Sequence, residues 1–571
     1  GTQNSRFTGI FDGLGHVITN FYINRSDDYQ GIFGATEGAA IQNLNLTGGT
    51  LAGGSFTGSL VGHAKSTKIN NVSSTNSISA FTTGPVNGDK AFGGLVGALN
   101  NVSTLSGSSY VGTISAITGF NGFTMAGGLV GTLSNSTILS SRSDVTIDGI
   151  GYVGGAVGQA ATSIITDVSS GGAISGQESV RLVGIASGSA MTRVSSSVDV
   201  TGVSNRYVVN NNDGTASSVG GLFGRLINNS TVNDGRASGD VSAVNEVGGL
   251  AGWLNGNVTV DVAAATGAVT GVKNIGGLFG ISFALAQRTI SNAMASGNVY
   301  GNENVGGLVG YSSNLNLTNS YSISDIIAQD SAQNVGGLIG LTENTNSVTD
   351  SFFSGIITYD EHDINIGGLI GTTVGSTSVQ DSFWDLDVSR ISTSDAGVGK
   401  THSELTTLQT FANWDISSNF NGGSAWNFFG GNTPSLSAVD PSLLIDSAYV
   451  ATLLNALAVG DVTISGYSNV SIESDLVYTG SNNRSLVINV ANGVNLIAGR
   501  NIGSTSSGSL ALEINANGNS SLLGKIGYSA NGTDYKNVSL IVSGPGSVSM
   551  SGDNTYSGTT TVSAGDLALS G

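Results

Sequence analysis

Residues Asn304 to Gly310 read NVGGLVG, and the same heptad returns with small changes along most of the chain. Twelve such units end at Gly34, Gly62, Gly97, Gly131, Gly158, Gly184, Gly224, Gly252, Gly280, Gly310, Gly340 and Gly371, spaced 28, 35, 34, 27, 26, 40, 28, 28, 30, 30 and 31 residues apart. A period drifting around 28 to 30 residues marks a solenoid, in which each unit buries its apolar face only by stacking on its neighbours. Between the glycines the chain alternates, as at Leu315, Leu317, Tyr321 and Ile323, or Ile290, Ala293, Ala295 and Val299. Period-two patterning broken by Asn, Gly, Ser and Asp predicts short strands with turns, not helices.

If each unit is one coil, equivalent strands lie about 4.8 Å apart and pair with the coils above and below. Twelve coils then span roughly 60 Å. Val305, Leu308 and Val309 cannot all face inward along one straight strand, so the chain must bend at Gly306-Gly307. Glycine suits a corner because it reaches φ > 0 at little cost and puts no Cβ in the way of the next coil. Gly306, Gly307, Leu308, Val309 and Gly310 are therefore read as structural repeat positions. A phosphate-binding loop would require a following lysine or helix start, and strands follow instead.

Composition agrees with an elongated all-β chain. Of 571 residues 87 are glycine, but there are only 4 prolines and no Gly-X-Y period, which excludes collagen. No cysteine is present, so disulfides and thiolate metal sites are excluded. A net charge of −19 opposes phosphate backbones, and nucleic acid is not expected as a partner. The sequence contains no apolar run of membrane-spanning length. It begins without methionine, so export signals and anchors are expected to lie outside it.

The VGGLVG blocks, with NSYSIS (Asn319 to Ser324) and DSFFSG (Asp350 to Gly355) between them, resemble GLUG-type repeats of bacterial surface proteins. The lead-in Phe7 to Ile23 and the closing segment Asp381 to Asp415 are similar to those that flank such repeats. From Val439 onward the text resembles haemagglutinin-type adhesin passengers of two-partner secretion, and Gly552 to Gly571 is similar to the autotransporter-associated β-strand repeat. The resemblance implies right-handed coils, an extracellular or cell-surface location, and an outer-membrane transporter or anchor outside this segment.

The expected fold is thus all-β, a right-handed parallel β-helix in two solenoid segments with one or two short interrupting helices. Residues 1–380 form the repeat solenoid, 381–440 a closing segment with a short helix, 441–458 a connecting or capping helix, and 459–571 a second solenoid. Thr401 to Glu404 has capping-box spacing, and Pro441 suits the first turn of the second helix. Leu443, Leu444, Val450, Leu453, Leu454 and Leu457 would share its buried face.

The longest interval carries the candidate ligand loop within Ser204 to Ser218, with Asn205, Arg206, Tyr207, Asn210, Asn211, Asn212 and Asp213 as its polar and aromatic members. Insertions in solenoids often form a binding face. Asp360, Glu361 and Asp363 flank His362 in the densest acidic cluster, read either as a solvated turn or, more weakly, as a calcium site. No other cofactor is expected. Glycoside hydrolysis needs two carboxylates facing each other, and no position is read as acidic in successive repeats. Trp384-Asp385, with Asp387, and Trp414-Asp415 are read mainly as core, with a sugar site as the alternative. The numerous N-x-[ST] triplets, Asn45 and Asn316 among them, are taken as products of composition, with glycosylation left open. The functional expectation is a stiff adhesin stalk whose loops contact host or matrix glycans or proteins. Self-association as a structural fibre, or a carbohydrate-active enzyme, are the alternatives.

Overall fold

The computed structural model describes residues 5–81, 90–117, 124–180, 182–202, 218–417, 424–428, 432–439, 442–505 and 507–569. The chain is a parallel β-solenoid of about seventeen turns with three short helices among the described residues. It divides into two compact units, Gly1–Lys400 and Thr401–Gly571.

In the first unit each of the twelve heptads runs into a strand of one continuous parallel ladder. Phe33 pairs with Val61, then in turn come Val96, Val130, Val157, Val183, Phe223, Ala251, Phe279, Val309, Ile339 and Ile370. The register survives intervals of 35, 34 and 40 residues, so the added residues do not enter the ladder. Gly276, Gly306, Gly336 and Gly367 stack in the same way. The strand Val299–Gly306 ends at the glycine pair and the next, Val309–Ser322, begins after Leu308. Val305, Leu308 and Val309 are all fully buried, as a bend at that point requires.

The bend is made differently from the expected way. Neither Gly306 nor Gly307 has φ in the left-handed region; that conformation falls on Asn304, at φ 55°. The glycines are needed for space alone. A Cβ on Gly306 would meet the Val309 carbonyl oxygen at 2.1 Å, and one on Gly307 the Gly337 carbonyl oxygen at 2.2 Å. At these contacts only a hydrogen fits.

Corners elsewhere in the coil use other devices. A left-handed residue recurs in or just after the strand that follows most heptads, at Asn71, Ser140, Asp167, Arg193, Asp234, Val262, Asn292, Asn319, Asp350 and Asp381. At a second corner an interior column of hydroxyls continues the rungs. Backbone N–H groups of Thr67, Ser103, Ser136, Ser163 and Ser189 donate to the hydroxyl oxygens of Ser103, Ser136, Ser163, Ser189 and Ser230 on the following coils, at 2.9 to 3.4 Å. Each receiving hydroxyl donates back to a carbonyl of its own coil, at Asn100, Ser134, Ala161, Ser187 and Ile227. A buried corner thereby keeps its backbone satisfied. Outward alternation also breaks past one of these bends: Ile323, expected inside, is 43% exposed.

Near the end of the first unit helix α1 (Leu386–Ser389), capped by Asp385, precedes a last strand, Val398–Lys400, which pairs with Phe383–Asp385. In the second unit, α2 (His402–Leu405) carries the capping box read from Thr401 and Glu404, but it lasts one turn and gives way to a 3₁₀ turn at Leu408–Phe411. The helix placed at 441–458 begins later than expected. Ser442–Ile445 is a strand paired with Asn469–Ile472, and helix α3 (Ser447–Val459) follows, capped by Asp446 accepting the Tyr449 N–H at 2.8 Å. Pro441 lies outside the described residues. Val450, Leu453 and Leu457 of α3 are buried in the same core as the second solenoid, together with Leu443 from the strand. Arg484 donates to the carbonyls of Leu457, Ala458 and Val459 and so closes the helix C-terminus. Three parallel ladders build this solenoid, one of them stacking Val462, Leu486, Leu512, Leu540 and Thr560. No helix among the described residues is long and apolar enough to cross a membrane.

Candidate functional site

The acidic turn before the last full heptad is held together by its own side chains. The Asp363 carboxylate accepts the N–H groups of Ala332 at 2.5 Å and Asp360 at 2.7 Å, and Asp360 accepts the His362 N–H at 2.8 Å. Glu361 is exposed beside them. Both oxygens of Asp363 thus serve the backbone, one of them bridging to the preceding coil. Among the described residues no three His, Asp or Glu side chains are grouped to hold a metal ion. The candidate ligand loop, Asn205, Arg206, Tyr207, Asn210, Asn211, Asn212 and Asp213, lies outside the described residues.

Acids do align on successive coils, contrary to the expectation from sequence. Asp199 lies one residue before the paired Val200 and Val241, and so beside Asp240; Asp350 and Asp381 likewise follow the paired Thr349 and Gln380. The first pair joins rungs: Asp199 accepts the Asp240 N–H at 3.1 Å, and Asp240 accepts the Ala268 N–H at 2.9 Å. Each pair stands side by side in one column. A glycosidase instead needs its carboxylates facing each other across the scissile bond.

Near the Asp199 column an open groove of about 480 Å³ crosses several coils, lined by Arg142, Ser169, Ser195, Ser197, Arg236 and Ser238. One of its two arginines is paired. Arg236 pairs with Asp234 at 2.6 Å, and neighbouring Arg193 grips Asp167 through two hydrogen bonds of 2.6 and 2.9 Å. That contact holds the Asp167 carboxyl below its usual range. Hydroxyls and paired ions suit a weak polar surface, without the aromatic platform of a deep sugar site.

The aromatic residues of the closing segment are core. Trp384 is buried and its indole N–H donates to the Ile391 carbonyl at 2.9 Å; Asp385, fully buried, caps α1 and accepts the Ser354 hydroxyl. Trp414 packs on Trp426 with ring centres 4.6 Å apart and on Phe411 at 4.7 Å. Asp415 accepts the Ala425 N–H.

Sequence reasoning passed over a ring cluster near the start of the first unit. Tyr29, Phe56 and His63 stack with centroids 5.4 to 5.7 Å apart, and the Asn100 amide lies 3.1 Å from His63 Nε2. Burial first, then Arg6 and Lys65, push the His63 pKa down. A depressed histidine pKa means that the unfolded chain binds the proton more readily. The contribution to stability is complete above the ordinary value of about 6.5 and is lost as pH falls towards the folded value. The melting temperature of the first unit is accordingly expected to fall on acidification below about pH 6.5, and His63→Gln to flatten that part of the profile. Equal pH slopes for the two proteins in calorimetry would refute it.

Against known families, residues 540–569 match the passenger-associated-transport-repeat model. They span the last two described coils: the end of Val538–Val542 and Ser547–Met550 lie on one, and pair in parallel with Thr560–Val562 and Asp566–Leu569 on the next. No curated protein and no solved structure matches the chain. The matched repeat and the β-solenoid together fit a passenger-type protein of the autotransporter kind, a class that is secreted or displayed at the cell surface.

Proposed function

We propose that this chain is part of a large bacterial surface adhesin, in which the first unit is a GLUG-type stalk and the inserted segments contact host or matrix glycans. The observation that supports this reading is the unbroken twelve-strand ladder in a chain that also carries a passenger repeat. A stack of coils with every rung paired resists local opening, and each coil leans on both neighbours, which suits a projecting element under load. The groove and the acidic turn offer polar contacts on its flank, and the uneven intervals place further residues outside the ladder. Export by two-partner secretion or by an autotransporter pore would both deliver such a passenger.

The test is retention of the chain on an array of host and bacterial polysaccharides, read together with release of reducing ends. Retention without release is expected. Release of reducing ends would replace this reading with a carbohydrate-active enzyme, and silence in both readouts would leave a structural fibre.

A further inference from the structure

One charged side chain lies in the core of the first unit with nothing to balance it. Arg288 is 2% exposed, and its Nε, Nη1 and Nη2 atoms are all buried without a hydrogen-bond acceptor among the described residues. By register it stands in the interior column that holds Ser103, Ser136, Ser163, Ser189 and Ser230 on earlier coils, with Val258 before it and Leu315 after it. Its coil also takes a wider corner. Four residues, Ala284 to Gln287, separate the two walls there, where the preceding coil uses Gly256 and Asn257.

The facing column changes at the same level. Leu226 and Leu254 are followed in register by Ser282 and then Ser312. Ser282 is fully buried and its hydroxyl, too, has no partner. These two columns meet across one coil step elsewhere, since Thr36 and Thr67 hydroxyls lie 2.9 Å apart, Ser312 reaches Asn346 at 3.2 Å and Thr342 reaches Thr377 at 2.8 Å. By that offset Arg288 faces Leu254 and Ser282 faces Leu315, so a ligand shared by Arg288 and Ser282 lies one coil step along the facing column, about the 4.8 Å that the long arginine side chain can span.

Guanidinium stays protonated at neutral pH even though burial pushes the Arg288 pKa down to about 10. An unpaired buried charge is strongly destabilising, whereas the same charge with a counter-ion is tolerated. We propose that the interior of the Gly280 coil binds a small inorganic anion, held by the Arg288 guanidinium with the Ser282 hydroxyl as a second donor. Guanidinium offers five N–H donors and no acceptor, so the complement is a compact group rich in lone pairs, such as a halide.

The experiment compares thermal unfolding of the full chain in sodium chloride and in sodium gluconate at equal ionic strength, gluconate being too bulky for a closed core. Wild type is expected to gain about 1–3 °C for the first-unit transition over a hundredfold rise in chloride at constant ionic strength. Arg288→Met, which replaces the charge by an apolar chain of similar length, is expected to melt at or above wild type in gluconate and to ignore chloride. Crystals soaked in bromide supply an independent readout, with an anomalous peak beside Arg288. Identical wild-type melts in the two salts, chloride dependence retained by Arg288→Met, or bromide confined to the surface would each overturn the proposal. None of these results bears on the adhesin reading, which the glycan array tests separately.

Discussion

Gly307→Ala is expected to cost about 4 kcal/mol or more and to open the solenoid locally, because the added Cβ has no free direction. It would lie 2.2 Å from the Gly337 carbonyl oxygen and 2.5 Å from the Ser322 hydroxyl. The first of these is backbone and cannot rotate aside. Relief requires the coils to separate where Gly307 N–H donates to Gly337 at 3.1 Å and Leu308 N–H to Leu338 at 2.9 Å. In a solenoid each coil touches only its neighbours, so damage stays near the altered coil instead of melting the whole unit. Hydrogen exchange reads this directly: protection should fall at the amides of Leu278, Leu308 and Leu338 and persist at those of Leu95 and Leu129. Gly38→Asn is the control, since Gly38 has φ 64°, which asparagine tolerates, and a Cβ there meets nothing within 4 Å. Exchange in Gly307→Ala equal to wild type would show that the close stacking of the glycine column is not what sets the register.

Glycine was readable in the sequence because a contact that admits little more than hydrogen favours one residue type, and the closing glycine stands in all twelve heptads even where Ser59 replaces the glycine equivalent to Gly307. That is why all twelve heptads marked real coils. The left-handed corners in the following strand left a fainter trace. Seven of the ten named corners fall on Asn or Asp, a bias that Ser140, Arg193 and Val262 blur. The run before α3 misled for another reason: Ser442 to Ile445 is short and apolar, and periodicity alone does not separate a buried strand from a helical turn. Pairing with Asn469–Ile472 settles it as a strand. The aligned acids Asp199 and Asp240 lie 41 residues apart, across the longest interval, so counting along a 28-residue period never brings them together. The buried arginine was invisible for a similar reason, since its column carries Ser, Val, Leu and Asn on neighbouring coils. Of the candidate sites, the acidic turn and the tryptophans were located from sequence, but their hydrogen bonds, which assign them to turn and core, needed the fold.

Asn304→Val should destabilise the first unit by about 2–4 kcal/mol, the sum of a backbone and a side-chain effect. Asn304 adopts φ 55°, with its neighbours in the column at Asn274, Asn334 and Asn365 near the same value (59°, 57° and 60°). Asparagine is one of the few residues that enters this region readily, and a β-branched side chain does so only under strain. The amides also form a ladder. Asn304 donates to Asn274 at 2.7 Å, Asn334 donates to Asn304 at 2.8 Å, and Asn365 donates to Asn334 at 2.9 Å. Asn304 is only 4% exposed, so Asn304→Val leaves the Asn274 carbonyl oxygen and the Asn334 amide with lost partners inside the wall. Asn304→Gly separates the two effects, because glycine keeps the backbone conformation and removes only the ladder. Asn304→Gly is therefore expected to lose about 1–2 kcal/mol in denaturant titration of the first unit, with Asn304→Val losing more. Equal losses in the two variants would place the whole effect on the amide ladder. A loss confined to Asn304→Val would place it on the left-handed corner, the element that turns each coil into its glycine pair.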